Sequence, residues 1–221
     1  MDAPYRSGRA LVVATVAALT VIPISILAHA VLYRLTMQQL GTFDAAGADA
    51  RLALFRVIRW SLSIAHLATA TFFLMWVYRA TANLPALGAT STRFTPARAV
   101  KVFFIPFVNL VRAYQVMATI WTESQPRTLT DGGHAKPRSL VIVIVWYVLA
   151  LAALIVDATL SVRSVTVGVG IVPQRISWAL TTAAAILCAI MVYQADARQR
   201  AQAEDLERRA NVPTPTGSEL R

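Results

Sequence analysis

The chain predicts an all-α, polytopic membrane protein with four transmembrane helices plus an amphipathic interfacial or re-entrant helix. Three observations lead there. Apolar runs cover residues 10–33, 58–78, 139–160 and 176–193, each about 18 to 24 residues, a length that at 1.5 Å rise per residue matches a ~30 Å hydrocarbon core. Of 221 residues, 57% are hydrophobic and 14% charged, well below the ~25% charge of a soluble domain. Basic residues are also shared unequally between the segments that separate the runs.

The first run follows Arg6 and Arg9, holds Pro23, and reaches Ala28-His29-Ala30, the small-x-small pattern of a secretory cleavage site. Apolar character continues through Val31, Leu32 and Tyr33, so an uncleaved helix is expected and a cleaved leader is the rival reading. Pro23 reads as a static kink. At the end of the second run, Trp76 and Tyr78 suit the headgroup boundary, Arg79 can snorkel to phosphate, and Asn83 and Pro85 stop the helix.

Thr95 and Pro96 form a helix start, with threonine as N-cap and proline at the first helical position. A helix over about 96–121 then places Val100, Phe103, Phe107, Leu110, Tyr114, Met117 and Trp121 near helical spacing, with Lys101, Asn109, Arg112 and Thr119 along another face. An arginine at mid-membrane costs about 2.5 to 3.5 kcal/mol, which favours an interfacial over a crossing segment. The charge bias agrees. With four spans and the N-terminus inside, 15 of the 21 Lys and Arg residues fall on the cytoplasmic side, whereas a crossing 102–121 segment weakens the split to 12 against 8.

The 122–138 linker, with its Asp131-Gly132-Gly133 turn, is then cytoplasmic, and both termini are too. Thr166-Val167-Gly168-Val169-Gly170 resembles a potassium filter, but about 15 residues between spans leave no room for a pore helix, so a short external turn is expected. Residues 1–193 make a single transmembrane helical domain. Beyond it, 194–210 reads as a solvated, charged cytoplasmic helix, supported by the i,i+4 pairs Asp196 with Arg200, Glu204 with Arg208 and Asp205 with Arg209. The proline-containing 211–221 tail is expected to be disordered.

The formal charge of +10 flanks the apolar runs and lines no groove, so nucleic acid is not an expected partner; anionic membrane lipid is. Cys188 is the single cysteine, so no internal disulfide can form. No phosphate loop, paired carboxylates, metal-ligand spacing or nucleophile setting is visible, hence no cofactor or metal is expected, no catalytic residue is assigned, and an enzyme is the less expected outcome.

Several stretches in order resemble a known family: Trp76-Val77-Tyr78-Arg79-Ala80-Thr81-Ala82-Asn83, then Arg93-Phe94-Thr95-Pro96, Phe104-Ile105-Pro106-Phe107-Val108-Asn109-Leu110 and Arg112-Ala113-Tyr114-Gln115. This is similar to a bacterial membrane family catalogued as domain of unknown function four-three-two-eight. Phe103 stands where that family tends to have tryptophan, and Ala113 where it tends to have proline. The resemblance implies membrane location and a shared architecture, and carries over no catalytic residue; the bacterial inner membrane is the expected location.

Two candidate sites follow. Arg79, Asn83, Asn109, Arg112, Tyr114 and Gln115 are the candidate lipid or ligand contacts, with structural anchoring as the plainer reading. His29, His66 and Asp157, from three spans, are a candidate intramembrane polar cluster suited to proton exchange or a weak metal site, against hydrated or carbonyl-bonded side chains. The expected function is a structural or accessory membrane component contacting anionic lipid or a protein partner, itself included as a homo-oligomer. A small transporter or channel subunit is the alternative, and a membrane-interface enzyme the second.

Overall fold

A computed structural model describes residues 5–39, 45–89, 93–105, 107–124, 140–166 and 171–211. Pro106, the Asp131-Gly132-Gly133 turn, residues 167–170 of the filter-like stretch and the tail from 212 lie outside them. The described residues form α1 (Arg9–Gln39), α2 (Ala45–Asn83), α3 (Pro96–Lys101), α4 (Asn109–Glu123), α5 (Val141–Thr166) and α6 (Ile171–Ala210), with 3-10 turns at Pro85–Leu87 and Val102–Phe104. Three helices are long and apolar enough to cross a membrane, over Arg9–Val31, Val141–Thr159 and Arg175–Ala210. The chain is a membrane protein of helical class, and α2 is not among these three.

Helices α1 and α2 run antiparallel and are joined by two threonines. Thr15 Oγ1 donates to Leu11 O at 2.7 Å and to Phe72 O at 3.2 Å; Thr69 Oγ1 donates to Ala65 O at 2.8 Å and to Ala18 O at 2.9 Å. Each hydroxyl thus serves its own helix and the neighbour, a bond that matters where water cannot compete. Helix α6 packs on α1 and α5, and its buried Ala184, Ala185, Cys188 and Ala195 let backbones approach. Leu27, Val148 and Ile186 point outward and are exposed, as lipid-facing side chains must be.

Helix α6 departs most from expectation. It is one helix of 40 residues that runs on past Tyr193 into the charged stretch, which the sequence reads as solvated. All three predicted i,i+4 pairs form, at 2.9 Å for Arg200 with Asp196, 3.6 Å for Arg208 with Glu204 and 2.7 Å for Arg209 with Asp205. Yet Asp196, Gln199, Gln202 and Ala203 are buried. Cys188, Val192, Ala195, Gln199 and Gln202 repeat at alternating three- and four-residue steps, so the inward stripe of the span continues into the polar end.

The predicted helix over 96–121 is divided. Thr95 caps α3 by accepting from Arg98 N at 3.4 Å, with Pro96 at the first position, as the sequence predicts. Ile105 then turns to extended backbone, φ −97° and ψ 110°, and Phe107 takes φ 61° before α4 begins. The cause lies in Pro106, which disfavours α-geometry at the residue before it and offers no N–H to continue the ladder. Phe103 meets Phe73 of α2 edge-on at 5.6 Å, while Tyr114 of α4 lies 5.5 Å from Tyr147 of α5. The inward face of α4 buries Ala113, Val116, Met117, Ile120 and Trp121.

Candidate functional site

Where α2 ends, the helices enclose a polar cluster. Arg79 Nη2 donates to Asp196 Oδ1, and the two side chains are 12% and 0% exposed. Arg200, 30% exposed, brings Nε to 2.9 Å from Asp196 Oδ2, close enough for an ion pair although not along a hydrogen-bond direction. Two guanidinium groups therefore share one carboxylate.

Neutral partners surround this triad. Gln199 Nε2 donates to Ala80 O at 3.1 Å and to Ser124 Oγ at 2.9 Å, tying α6 to α2 and to the end of α4. Gln202 Nε2 donates to Leu87 O at 2.7 Å, fixing the 3-10 turn. Asn83 clasps the N-terminal segment at two points, donating from Nδ2 to Arg6 O at 3.2 Å and accepting at Oδ1 from Arg6 N at 3.2 Å. Gly8 lies flat on Arg79, and a Cβ at this position would land on the guanidinium. Burial, and next the Asp196 charge, raise the Tyr5 phenol above its ordinary 10.0, with Arg79 and Arg200 pulling the other way. Trp121 adds a cation–π contact, Arg198 Cζ standing 4.0 Å from its ring centroid.

The sequence-derived candidates divide. Arg79 and Asn83 belong to this cluster, while Asn109, Arg112, Tyr114 and Gln115 run along α4, where Arg112 Nη1 donates to Gln115 Oε1 at 3.2 Å. Two anchoring expectations are corrected. Trp76 is buried, packed 6.0 Å from Phe73, and not spread at the boundary; Arg79 turns inward to Asp196, whose buried carboxylate needs a charged partner.

His29 and Asp157 are both held by α6. His29 meets Trp178 edge-on at 6.3 Å, and Ser177 Oγ donates to Asp157 Oδ1. His66 is exposed on α2. Among the described residues, no three His, Cys, Asp or Glu side chains are grouped to hold a metal ion.

Sequence reasoning missed Asp196, Gln199, Arg200, Gln202, Ser124 and Tyr5 as members of one cluster. The three-four stripe on α6 was the available signal. Chemically, the cluster supplies cross-helix bonds and an excess of positive charge, with no nucleophile beside a base. No curated protein and no solved structure matches the chain. A family model described as "Domain of unknown function (DUF4328)" matches residues 39–197, the stretch that holds Arg79, Asn83, Ser124 and Asp196, and the chain belongs to that family.

Proposed function

We propose that the protein is a four-span component of the bacterial inner membrane, both termini cytoplasmic, acting as a structural or accessory element that contacts anionic lipid at its polar end. The observation that carries this reading is how the polar groups are spent. Asp196, Gln199, Gln202, Asn83, Thr15 and Thr69 bond across helices, and the interior between is made of Val77, Val116, Ile120, Met191, Val192 and similar side chains. Bonds of this kind hold helices together and line no aqueous route.

Helix α2 serves as the fourth span. Its antiparallel register on α1, Asn83 beside Arg6 and Thr69 beside Ala18, puts Val31 level with about residue 56, so the second apolar run lies alongside the first. Arg93, Arg98 and Lys101 are exposed near the polar end, and the triad behind them holds two guanidinium groups to one carboxylate. Each cation near an anionic surface contributes about 1 kcal/mol.

Native mass spectrometry of the detergent-purified protein tests the lipid contact. Acidic phospholipid should be retained over zwitterionic lipid, and Arg93→Gln, Arg98→Gln and Lys101→Gln together should abolish the preference. Equal retention of both lipid classes by the unsubstituted protein would overturn the proposal.

A further inference from the structure

We infer that the segment from α3 through α4 is a re-entrant hairpin whose turn, carrying Phe104, Ile105 and Phe107 to Val111, is immersed in the acyl chains of the leaflet at the polar end. The inference rests on the membrane-spanning reading above and adds a lipid-contacting surface to it.

Neighbouring helices set the level of each leg. Gln199 bonds Ala80 O and Ser124 Oγ together, so the end of α4 lies beside the end of α2, next to the Arg79–Asp196 pair. From there α4 reaches inward, and the first leg reaches a matching depth. Phe103 stands against Phe73, six residues back along α2 from Arg79, and Tyr114 stands against Tyr147, six residues into α5 from its start at Val141. Six residues of helix are about 9 Å, so the legs rise by roughly a third of a ~30 Å hydrocarbon core before the turn joins them.

The turn has a composition that water would not tolerate. Phe104 is 69% exposed and Phe107 84%, with Ile105, Val108, Leu110 and Val111 exposed beside them. Soluble surfaces rarely expose so continuous an apolar patch. At this depth the neighbouring faces of α2 and α5 also present Phe72, Met75, Ile144 and Val148 outward, so the patch continues a lipid-facing surface. The occupant is therefore acyl chain.

Arg112 is the residue that most opposes immersion, and its geometry answers the objection. Its guanidinium bonds Gln115, one turn nearer the polar end, so the charge is drawn back toward the headgroups while the turn goes deeper. Irregular backbone at membrane depth survives only beside protein or water. Here the turn meets part of that need itself, Ile105 O accepting from Asn109 N at 2.9 Å and Val108 O from Arg112 N at 2.8 Å, and its two legs pack on neighbours, α3 on α2 and α4 on α5.

The test uses the full chain in liposomes, on a Cys188→Ser background, with nitroxide spin labels at Phe104→Cys, Phe107→Cys and Val111→Cys. Exposed Val148→Cys and Glu204→Cys are the lipid and aqueous references. Oxygen collisions should exceed those of a water-soluble nickel complex at all three turn positions, as at 148, with the reverse at 204. Turn labels that behave like 204 while 148 reads as lipid would overturn the hairpin alone. A label at 148 that behaves like 204 would instead overturn the span reading beneath it. An impermeant thiol reagent should reach Arg93→Cys and Thr122→Cys, which flank the segment, from the same side; opposite sides would mean the segment crosses, and would overturn re-entrance. Three turn positions guard against the loss of Phe107, whose φ of 61° makes it the most sensitive to substitution.

Discussion

Removing the Asp196 carboxylate should destabilise the protein more than any exposed-surface change. The side chain is fully buried and faces Arg79, itself 12% exposed, while Arg200 at 30% exposed can swing toward water. Arg79 has no such exit, because Gly8 lies against it and the α2 backbone holds it. Breaking a buried pair from one side costs about 3 to 5 kcal/mol, since the remaining charge is left desolvated. We assign that range to Asp196→Ala through Arg79, and little to Arg200. On the scaling of soluble chains of this size, about 2 to 4 °C per kcal/mol, the midpoint should fall by roughly 6 to 20 °C. Fluorescence-detected thermal unfolding in detergent measures it. The double variant Arg79→Met with Asp196→Leu should recover most of the loss, because well-packed apolar pairs replace buried ion pairs at little cost. A fall of under ~3 °C for Asp196→Ala, or a double variant as unstable as the two single changes added, would refute the reasoning.

Gly8→Val should displace the Arg79 guanidinium, since even a Cβ there collides with it, and should lower stability by about 1 to 3 kcal/mol. On an Arg79→Met background the same substitution should do much less, and equal loss in both backgrounds would exclude the contact. The raised Tyr5 phenol sets an alkaline limit. Its folded value lies above the unfolded 10.0, so its stabilisation is complete below pH 10 and is lost as pH rises through the folded value. Tyr5→Phe should flatten the alkaline limb of midpoint against pH, with little change at pH 7, and an unchanged limb would show that another group governs it.

The sequence discloses the helical class, the apolar runs, the Thr95–Pro96 start and the helix stop at Asn83, because each depends on local composition or a single capping side chain. The buried polar cluster was harder to see. Asp196 pairs with Arg200 four residues on, a pattern that fits a solvated helix equally well, and its partner Arg79 lies 117 residues away. Nothing local distinguishes the two settings. The alternating three- and four-residue steps from Cys188 to Gln202 do, but only when amides are counted as interior residues. The division of the 96–121 helix was visible in Pro106, whose effect on Ile105 is local; that the end of α4 returns to the level of the α2 end depends on Gln199, which no local pattern reveals.

The separation between Arg79 and Asp196 also dictates an order of assembly. Synthesis delivers α2, with its arginine, long before the last helix supplies the carboxylate. Through that interval the guanidinium stays hydrated at the membrane surface, and the N-terminal segment cannot close over it without burying a lone charge. Arrival of α6 is thus the event that lets the beginning of the chain settle, so a ribosome-stalled chain ending before residue 196 holds an open bundle whose first residues remain accessible to protease.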